Sequence, residues 1–194
     1  MKPISIKNII QDTIDIKNKM LNDAVLLKTI EEVAELIVAA YQKNGKVLLC
    51  GNGGSAADAQ HLAAELTGRF QIERVPLYAE ALHTNSSYLT AVANDYGFEN
   101  VYSRIISSNS ISGDVLIALS TSGQSKNIIN ACKTAKEKGL TSIAMTGAGG
   151  GMLKGICDYH IAVPSDNTAR VQECHILIGH IICAYVELML FGEI

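Results

Sequence analysis

The sequence predicts an α/β protein, a three-layer doubly wound sandwich in which helices cover both faces of a five-stranded parallel sheet, with further helices at the N-terminus. Three observations predict this class. Short apolar segments alternate with helical segments after residue 45, as is typical of strands buried on both faces. Two of these strands run into glycine- or serine-rich loops that precede helices. The residues before 45 show helical periodicity alone.

The N-terminal extension is expected to contain two helices, from about residue 5 to 20 and from 22 to 42. The second helix carries an apolar stripe on one face, formed by Ile30, Val33, Ile37 and Ala40. We therefore assign residues 1–44 to a helical extension and residues 45–194 to the main domain, the two forming one structural unit.

Strands and helices are expected to alternate through the main domain. The expected strands are 46–50, 76–81, 114–119, 141–146 and 159–163. The expected helices are 55–67, 86–93, 100–108, 125–138 and 168–191. Sheets of this kind bind ligands at the carboxyl ends of their strands, so we expect a site at that edge.

Composition excludes several classes of partner. The 194 residues carry 16 basic and 19 acidic side chains with no basic block, which argues against a nucleic-acid surface. Five widely spaced cysteines without a Cys-x-x-Cys pair are typical of a reduced, cytoplasmic protein. The longest uncharged apolar run, 174–186, is too short to span a bilayer, so no membrane partner is expected.

The segment 49–65 combines a binding loop with two reactive side chains. An apolar strand runs into glycines and then into a helix for which Ser55 is the expected N-cap. His61 and Glu65 are four residues apart and therefore share a helical face. The loop amides favour an anion or a sugar hydroxyl, and the His–Glu pair suits acid–base chemistry or a metal.

The loop 120–125, which follows the strand 114–119, belongs to a second strand–loop–helix unit with a candidate binding loop. Its four hydroxyls and one glycine lie just before a helix N-terminus, where unpaired N–H groups attract an anion. The loop lacks the spelling of a nucleotide-triphosphate loop, and its neutral hydroxyls suit a sugar monophosphate. The alternative is a serine-rich cap on an ordinary strand-to-helix turn.

Two later features stay open on sequence alone. The glycine-rich segment 147–151 is either a loop of close backbone approach or, as we prefer, a mobile surface turn. The last helix carries Gln172, His175 and His180. A lone histidine on an apolar helix is usually a hydrogen-bonded core residue, and we accept that interpretation for His175.

Taken together, the motifs resemble those of the phosphoheptose isomerases, a family of sugar isomerase (SIS) domain proteins. The similarity covers nearly the whole chain and rests on 51–61, 64–70, 89–97, 120–125 and 168–175 with His180. It implies a flavodoxin-like SIS fold. It also implies conversion of sedoheptulose 7-phosphate to D-glycero-D-manno-heptose 7-phosphate, an early step towards bacterial surface polysaccharides such as lipopolysaccharide or capsule.

The resemblance also assigns roles to residues. Glu65 and His180 match the catalytic acid–base pair. The positions that match substrate-binding residues are Asn52, Gly53, Gly54, Ser55, Glu65, Asn94, Asp95, Ser120, Thr121, Ser122, Ser125 and Gln172. The positions that match zinc ligands, one ion per subunit, are His61, Glu65, Gln172 and His180. A homotetramer with active sites at subunit interfaces is implied as well.

Helix geometry adds a hypothesis about that assembly. Gln172 and His180 lie about 12 Å apart along a straight helix, whereas zinc bonds are about 2 Å long. We therefore expect a neighbouring chain to contribute one ligand. The chain also departs from the family pattern at 83–87, where Asn85 replaces an acidic residue.

Two other functions fit parts of the sequence. The segment 51–56 fits a loose dinucleotide-binding fingerprint with Glu80 as the ribose ligand. That function leaves the serine-rich loop and the helical face of His61 and Glu65 without a role. A non-catalytic sugar-phosphate-binding or replication-initiator-binding protein of the same fold is the second alternative. The presence of both Glu65 and His180 favours an enzyme over it.

Overall fold

The computed structural model describes residues 5–192 and has the predicted three-layer α/β architecture. Its five strands are all parallel, in the order β2-β1-β3-β4-β5, which confirms the doubly wound sheet. The strands are β1 Val47–Cys50, β2 Ala79–Ala81, β3 Val115–Leu119, β4 Thr141–Thr146 and β5 Tyr159–Ala162. The helices are α1 Ile6–Leu21, α2 Ala24–Gln42, α3 Gly54–Thr67, α4 Ser86–Tyr96, α5 Val101–Asn109, α6 Lys126–Glu137 and α7 Thr168–Phe191.

Side chains alternate between two cores, one on each face of the sheet. In β1, Val47 and Leu49 pack with α1, α2, α3 and α7, whereas Leu48 and Cys50 pack with α4, α5 and α6. The predicted stripe of α2 is buried in the first of these cores. Asp23 caps that helix by accepting hydrogen bonds from two backbone N–H groups.

Three local expectations differ from the structure. β2 is shorter than the expected 76–81, because Pro76 has no N–H to donate and the Leu77 N–H donates to Leu66 O in α3 instead of to the sheet. Helix α4 continues to Tyr96 and ends at Gly97, whose φ of 85° a side chain would disfavour. The expected Ser55 N-cap is wrong, because Gly53 holds that position and Ser55 is buried within the first turn.

Helix α7 is the central helix of the first core. By length and composition alone it could cross a membrane, a test that core helices of soluble proteins also pass. It packs against α2 and α3 and buries residues on several sides, among them Cys174, Ile178 and Val186. All five cysteines are free thiols.

A buried ion pair lies at the amino-terminal edge of the sheet. The Lys46 Nζ atom lies 2.7 Å from a carboxylate oxygen of Asp114, and the Asp114 side chain is fully buried. Asp114 also accepts hydrogen bonds from the backbone N–H groups of Lys46 and Ile111. This pair lies at the opposite edge from the loops that carry the candidate site.

Candidate active site

The loops after β1 and β3 meet in one pocket at the carboxyl edge of the sheet. The pocket has a volume of about 340 Å³, at the lower end of the range typical of small-molecule sites. Its lining includes most of the predicted substrate-binding residues. They are Asn52, Gly53, Gly54, Ser55, Ser120, Thr121, Ser125 and Gln172, joined by Leu119 and Thr168.

A pair of asparagines joins the two loops. The side-chain amides of Asn52 and Asn127 hydrogen-bond each other reciprocally, at 2.9 and 2.8 Å. Asn127 is buried in the first turn of α6, so it fixes the β1 loop to the helix that follows the serine-rich loop. The Tyr102 hydroxyl, from α5, donates to the Gly51 carbonyl and holds the start of the same loop. No sequence pattern predicts either contact.

The glycine-rich segment 147–151 packs against the serine-rich loop through backbone atoms. The Gly147 N–H donates to Thr121 O at 2.9 Å, and the Met152 N–H donates to Gly123 O at 3.0 Å. A Cβ atom on Gly123 would lie 2.1 Å from Gly150 O, so only glycine permits this approach. The segment is therefore a loop of close backbone approach at Gly147, Gly150 and Gly151, and the expected surface turn is confined to the exposed residues Ala148 and Gly149.

His61, Glu65 and His180 form a second cluster further along α3 and α7. The Nε2 atoms of His61 and His180 face each other at 2.9 Å, and His61 Nε2 lies 3.3 Å from a Glu65 carboxylate oxygen. The three donor atoms all lie within 4.8 Å of one another, which is close enough for them to hold one metal ion. The ring of Phe70 stacks on the His180 ring, with centroids 5.3 Å apart.

The other predicted site residues lie away from that cluster in this chain. The Gln172 side chain lies against Gly54, where a Cβ atom would approach its amide nitrogen to 2.5 Å, and it lines the pocket. Asn94 and Asp95 are exposed on α4 and hydrogen-bond each other. Ser122 is exposed and accepts a hydrogen bond from the Gln124 N–H.

His175 is a core residue, as the sequence predicts. Its side chain is fully buried, and Nε2 lies 3.2 Å from Thr146 O, a carbonyl that accepts a hydrogen bond from the ring N–H. Burial opposes the charged imidazolium and lowers the pKa of His175 to about 4 against its ordinary 6.5, although the bond to Thr146 acts in the opposite direction.

This shift predicts how stability depends on pH. Because the folded pKa lies below the unfolded one, His175 contributes full stability above pH 6.5 and loses it as the pH falls towards 4. His175→Gln keeps an N–H donor but cannot be protonated. We expect its free energy of unfolding to fall by roughly 3 kcal/mol less than that of the wild type between pH 7 and pH 4. Urea unfolding at pH 7, 5.5 and 4 with a chelator measures it, and parallel curves for the two proteins would contradict it.

The fold, the pocket and the His–Glu–His cluster define a class of α/β proteins with a small-molecule site at the carboxyl edge of a parallel sheet, and comparison with known proteins identifies the family. The model of the SIS domain family matches residues 16–147, and the chain belongs to that family. Among curated relatives, a phosphoheptose isomerase of Aneurinibacillus thermoaerophilus is 51% identical over 186 residues, which are 96% of this chain and 94% of the relative. The chain is a member of the phosphoheptose isomerases within the SIS family.

Solved structures agree with this placement. A phosphoheptose isomerase from Neisseria gonorrhoeae has a TM-score of 0.88 at 41% identity and covers 94% of this chain and 96% of its own. One from Francisella tularensis has a TM-score of 0.90 at 36% identity, with coverages of 93% and 95%. The SIS fold is therefore established for the present chain.

Proposed function

We propose that the protein isomerises sedoheptulose 7-phosphate to D-glycero-D-manno-heptose 7-phosphate. The observation that carries this proposal is the arrangement of a pocket lined by serine and threonine hydroxyls beside a His–Glu–His cluster in a phosphoheptose isomerase chain. Gly54 and His61 are separated by about 10 Å along α3. An extended seven-carbon sugar with its phosphate is also about 10 Å long, so one substrate reaches from the pocket to the cluster.

The residues divide the reaction between them. Ser120, Thr121 and Ser125 hold the phosphate, and the binding energy at that end orients the reacting carbons. Glu65 takes the proton from the first carbon of the ketose and returns it to the second, through an enediol. His180 moves the protons at the two oxygens, so that no free alkoxide accumulates. Asn52 and Gln172 are placed to bind sugar hydroxyls.

We propose zinc as the cofactor, one ion per subunit. Two imidazole nitrogens facing each other at 2.9 Å beside a carboxylate form a donor set that suits this ion, with His61, Glu65 and His180 as ligands. When bound, zinc would polarise the substrate carbonyl as a Lewis acid. Because an ion held by Glu65 and His180 weakens them as bases, either the ion promotes the reaction in this way or these side chains leave it while they transfer protons. Dialysis against a chelator is expected to lower turnover at least tenfold, and added zinc is expected to restore it. Unchanged turnover in metal-free protein would contradict the cofactor.

We also propose a homotetramer whose active sites lie at subunit interfaces. Helices α1 and α2 expose a series of large apolar side chains, and an apolar groove of about 430 Å³ lies between α2 and α7. Gln172 lies about 12 Å from His180 along α7, which leaves the fourth ligand position for a neighbouring chain. Asn94 and Asp95 are likewise exposed and do not line the pocket of their own chain. Light scattering should give four times the 20.8 kDa chain mass, and an active monomer would refute the shared site.

The cellular setting follows from the proposed reaction. A cytoplasmic enzyme that produces a heptose phosphate would supply the synthesis of nucleotide-activated heptose for lipopolysaccharide or capsule. Residues 1–44 would act as the assembly extension and residues 45–194 as the catalytic domain of one structural unit.

The experiment compares sedoheptulose 7-phosphate with unphosphorylated sedoheptulose and with a five-carbon ketose phosphate. We expect rapid conversion of the first only, since the other two lack the phosphate or the length that joins the pocket to the cluster. Conversion that required added NAD would favour the oxidoreductase alternative. Binding of sugar phosphates without any conversion would favour a non-catalytic protein.

A further inference from the structure

A buried ion pair between Arg74 and Glu187 lies next to the His–Glu–His cluster. Arg74 Nε donates to a Glu187 carboxylate oxygen at 2.9 Å, and each side chain is only 1% exposed. Arg74 belongs to the irregular segment 68–78 between α3 and β2, whereas Glu187 lies near the end of α7. Burying two charges in this way is costly unless their remaining hydrogen-bonding groups are satisfied.

Glu187 satisfies its remaining oxygen lone pairs with backbone donors. It accepts hydrogen bonds from the N–H groups of Phe70, Gln71 and Ile72, at 2.7, 2.7 and 2.9 Å. Burial alone raises the pKa of Glu187, but these three bonds and Arg74 outweigh it and hold the pKa below its ordinary range. The carboxylate therefore fixes the backbone at Phe70, whose ring stacks on His180.

Arg74 satisfies its other donors with carbonyls at the end of α3. Its Nη2 atom donates to Glu65 O at 3.0 Å, and its Nη1 atom donates to Gly68 O at 3.1 Å. One ion pair thus contacts the backbone of Glu65 on one side and the residue that packs on His180 on the other. Glu187 and His180 are also seven residues apart on α7, which places them on the same face.

We propose that Arg74 and Glu187 are positioning residues that set the geometry of Glu65 and His180 for proton transfer. This inference rests on the proposed function of those two side chains. The ion pair touches neither side chain directly. It acts through the Glu65 carbonyl and through the Phe70 ring, and a displacement of reacting groups by about 1 Å costs roughly 100-fold in rate.

The test compares Glu187→Gln with Asp114→Asn. Both substitutions remove a buried charge from an ion pair, but the pair of Asp114 lies at the opposite edge of the sheet. Both should lower Tm by roughly 10 °C. Only Glu187→Gln should lower kcat by tenfold or more, with KM within about threefold, at a temperature where both proteins are folded. Equal kcat in the two variants would overturn the proposal.

Phe70 provides a second test that does not depend on the stability of the ion pair. Phe70→Leu keeps the backbone bond to Glu187 but removes the ring, whereas Phe70→Tyr keeps both. We expect Phe70→Leu to lower kcat about tenfold and Phe70→Tyr to retain it. Equal kcat in Phe70→Leu and the wild type would overturn the inference, even if Glu187→Gln does not fold.

The imidazole NMR signals of His180 separate this inference from the proposed function. They report the environment of the ring without any turnover, so a wild-type protein inactive on heptose phosphate would still answer the question. We expect the signals to move in Glu187→Gln and to stay in place in Asp114→Asn. Signals that stay in place in both variants would refute the positioning role.

Discussion

Glu65→Gln is expected to lower kcat about 1,000-fold or more while the protein stays folded. The substitution keeps the shape of the side chain but removes the base that moves the proton between the two carbons, and general base catalysis accounts for a factor of this size. It also removes one proposed zinc ligand, so the zinc content of the variant is measured together with its kcat. Glu65 is half-buried, and its carboxylate contacts His61 rather than a core residue, so the fold does not depend on its charge.

Glu137→Gln is the matched control, because this exposed glutamate is the last residue of α6, away from the pocket and from the His–Glu–His cluster. Its kcat should stay within twofold of the wild type. Steady-state kinetics and circular dichroism on the three proteins measure the effect. A Glu65→Gln protein that retained more than a tenth of the wild-type kcat would exclude Glu65 as the base.

Gly123→Ala is expected to lower kcat/KM roughly 100-fold by displacing the serine-rich loop 120–125, which we propose holds the phosphate. Gly123 has a φ of 63°, which a side chain disfavours, and the new methyl group would lie 2.1 Å from Gly150 O. The loop must move away from the segment 147–151, and the hydroxyls of Ser120 and Ser125 move with it. Misplacement of a substrate-positioning group by about 1 Å has an effect of this size.

Two other glycines separate the causes of that loss. Gly113→Ala meets a similar left-handed φ, 95°, but has open space around the new Cβ. Gly149→Ala meets neither constraint. We expect Gly113→Ala to lose only stability and Gly149→Ala to behave as the wild type. If Gly123→Ala kept the wild-type kcat/KM, the loop would not be the phosphate site.

The sequence predicts those parts of the fold and site that depend on local patterns. Each of the five strands and the helices between them follows from a pattern within its own segment of the sequence. The His61–Glu65 pair likewise follows from a spacing of four residues on one helix. The pocket residues are also predictable, because parallel strands bring their carboxyl-end loops together.

The missed contacts join segments that are distant in sequence. Asn127 looks like an ordinary helix residue until the fold sets it against Asn52, 75 positions away. Glu187 carries one weak signal, an acidic residue directly after an apolar run, but nothing local indicates Arg74 as its partner. The close approach of the segment 147–151 depends on the spacing of two loops, which no periodicity encodes.

The most direct test of the account is an NMR experiment on the wild-type protein with sedoheptulose 7-phosphate in heavy water. Base-catalysed transfer through an enediol predicts that aldose signals appear and that deuterium enters the second carbon of the product, since a proton held on Glu65 exchanges with solvent. The account would be contradicted if the ketose signals stayed unchanged with zinc-loaded protein at a concentration equal to that of the substrate.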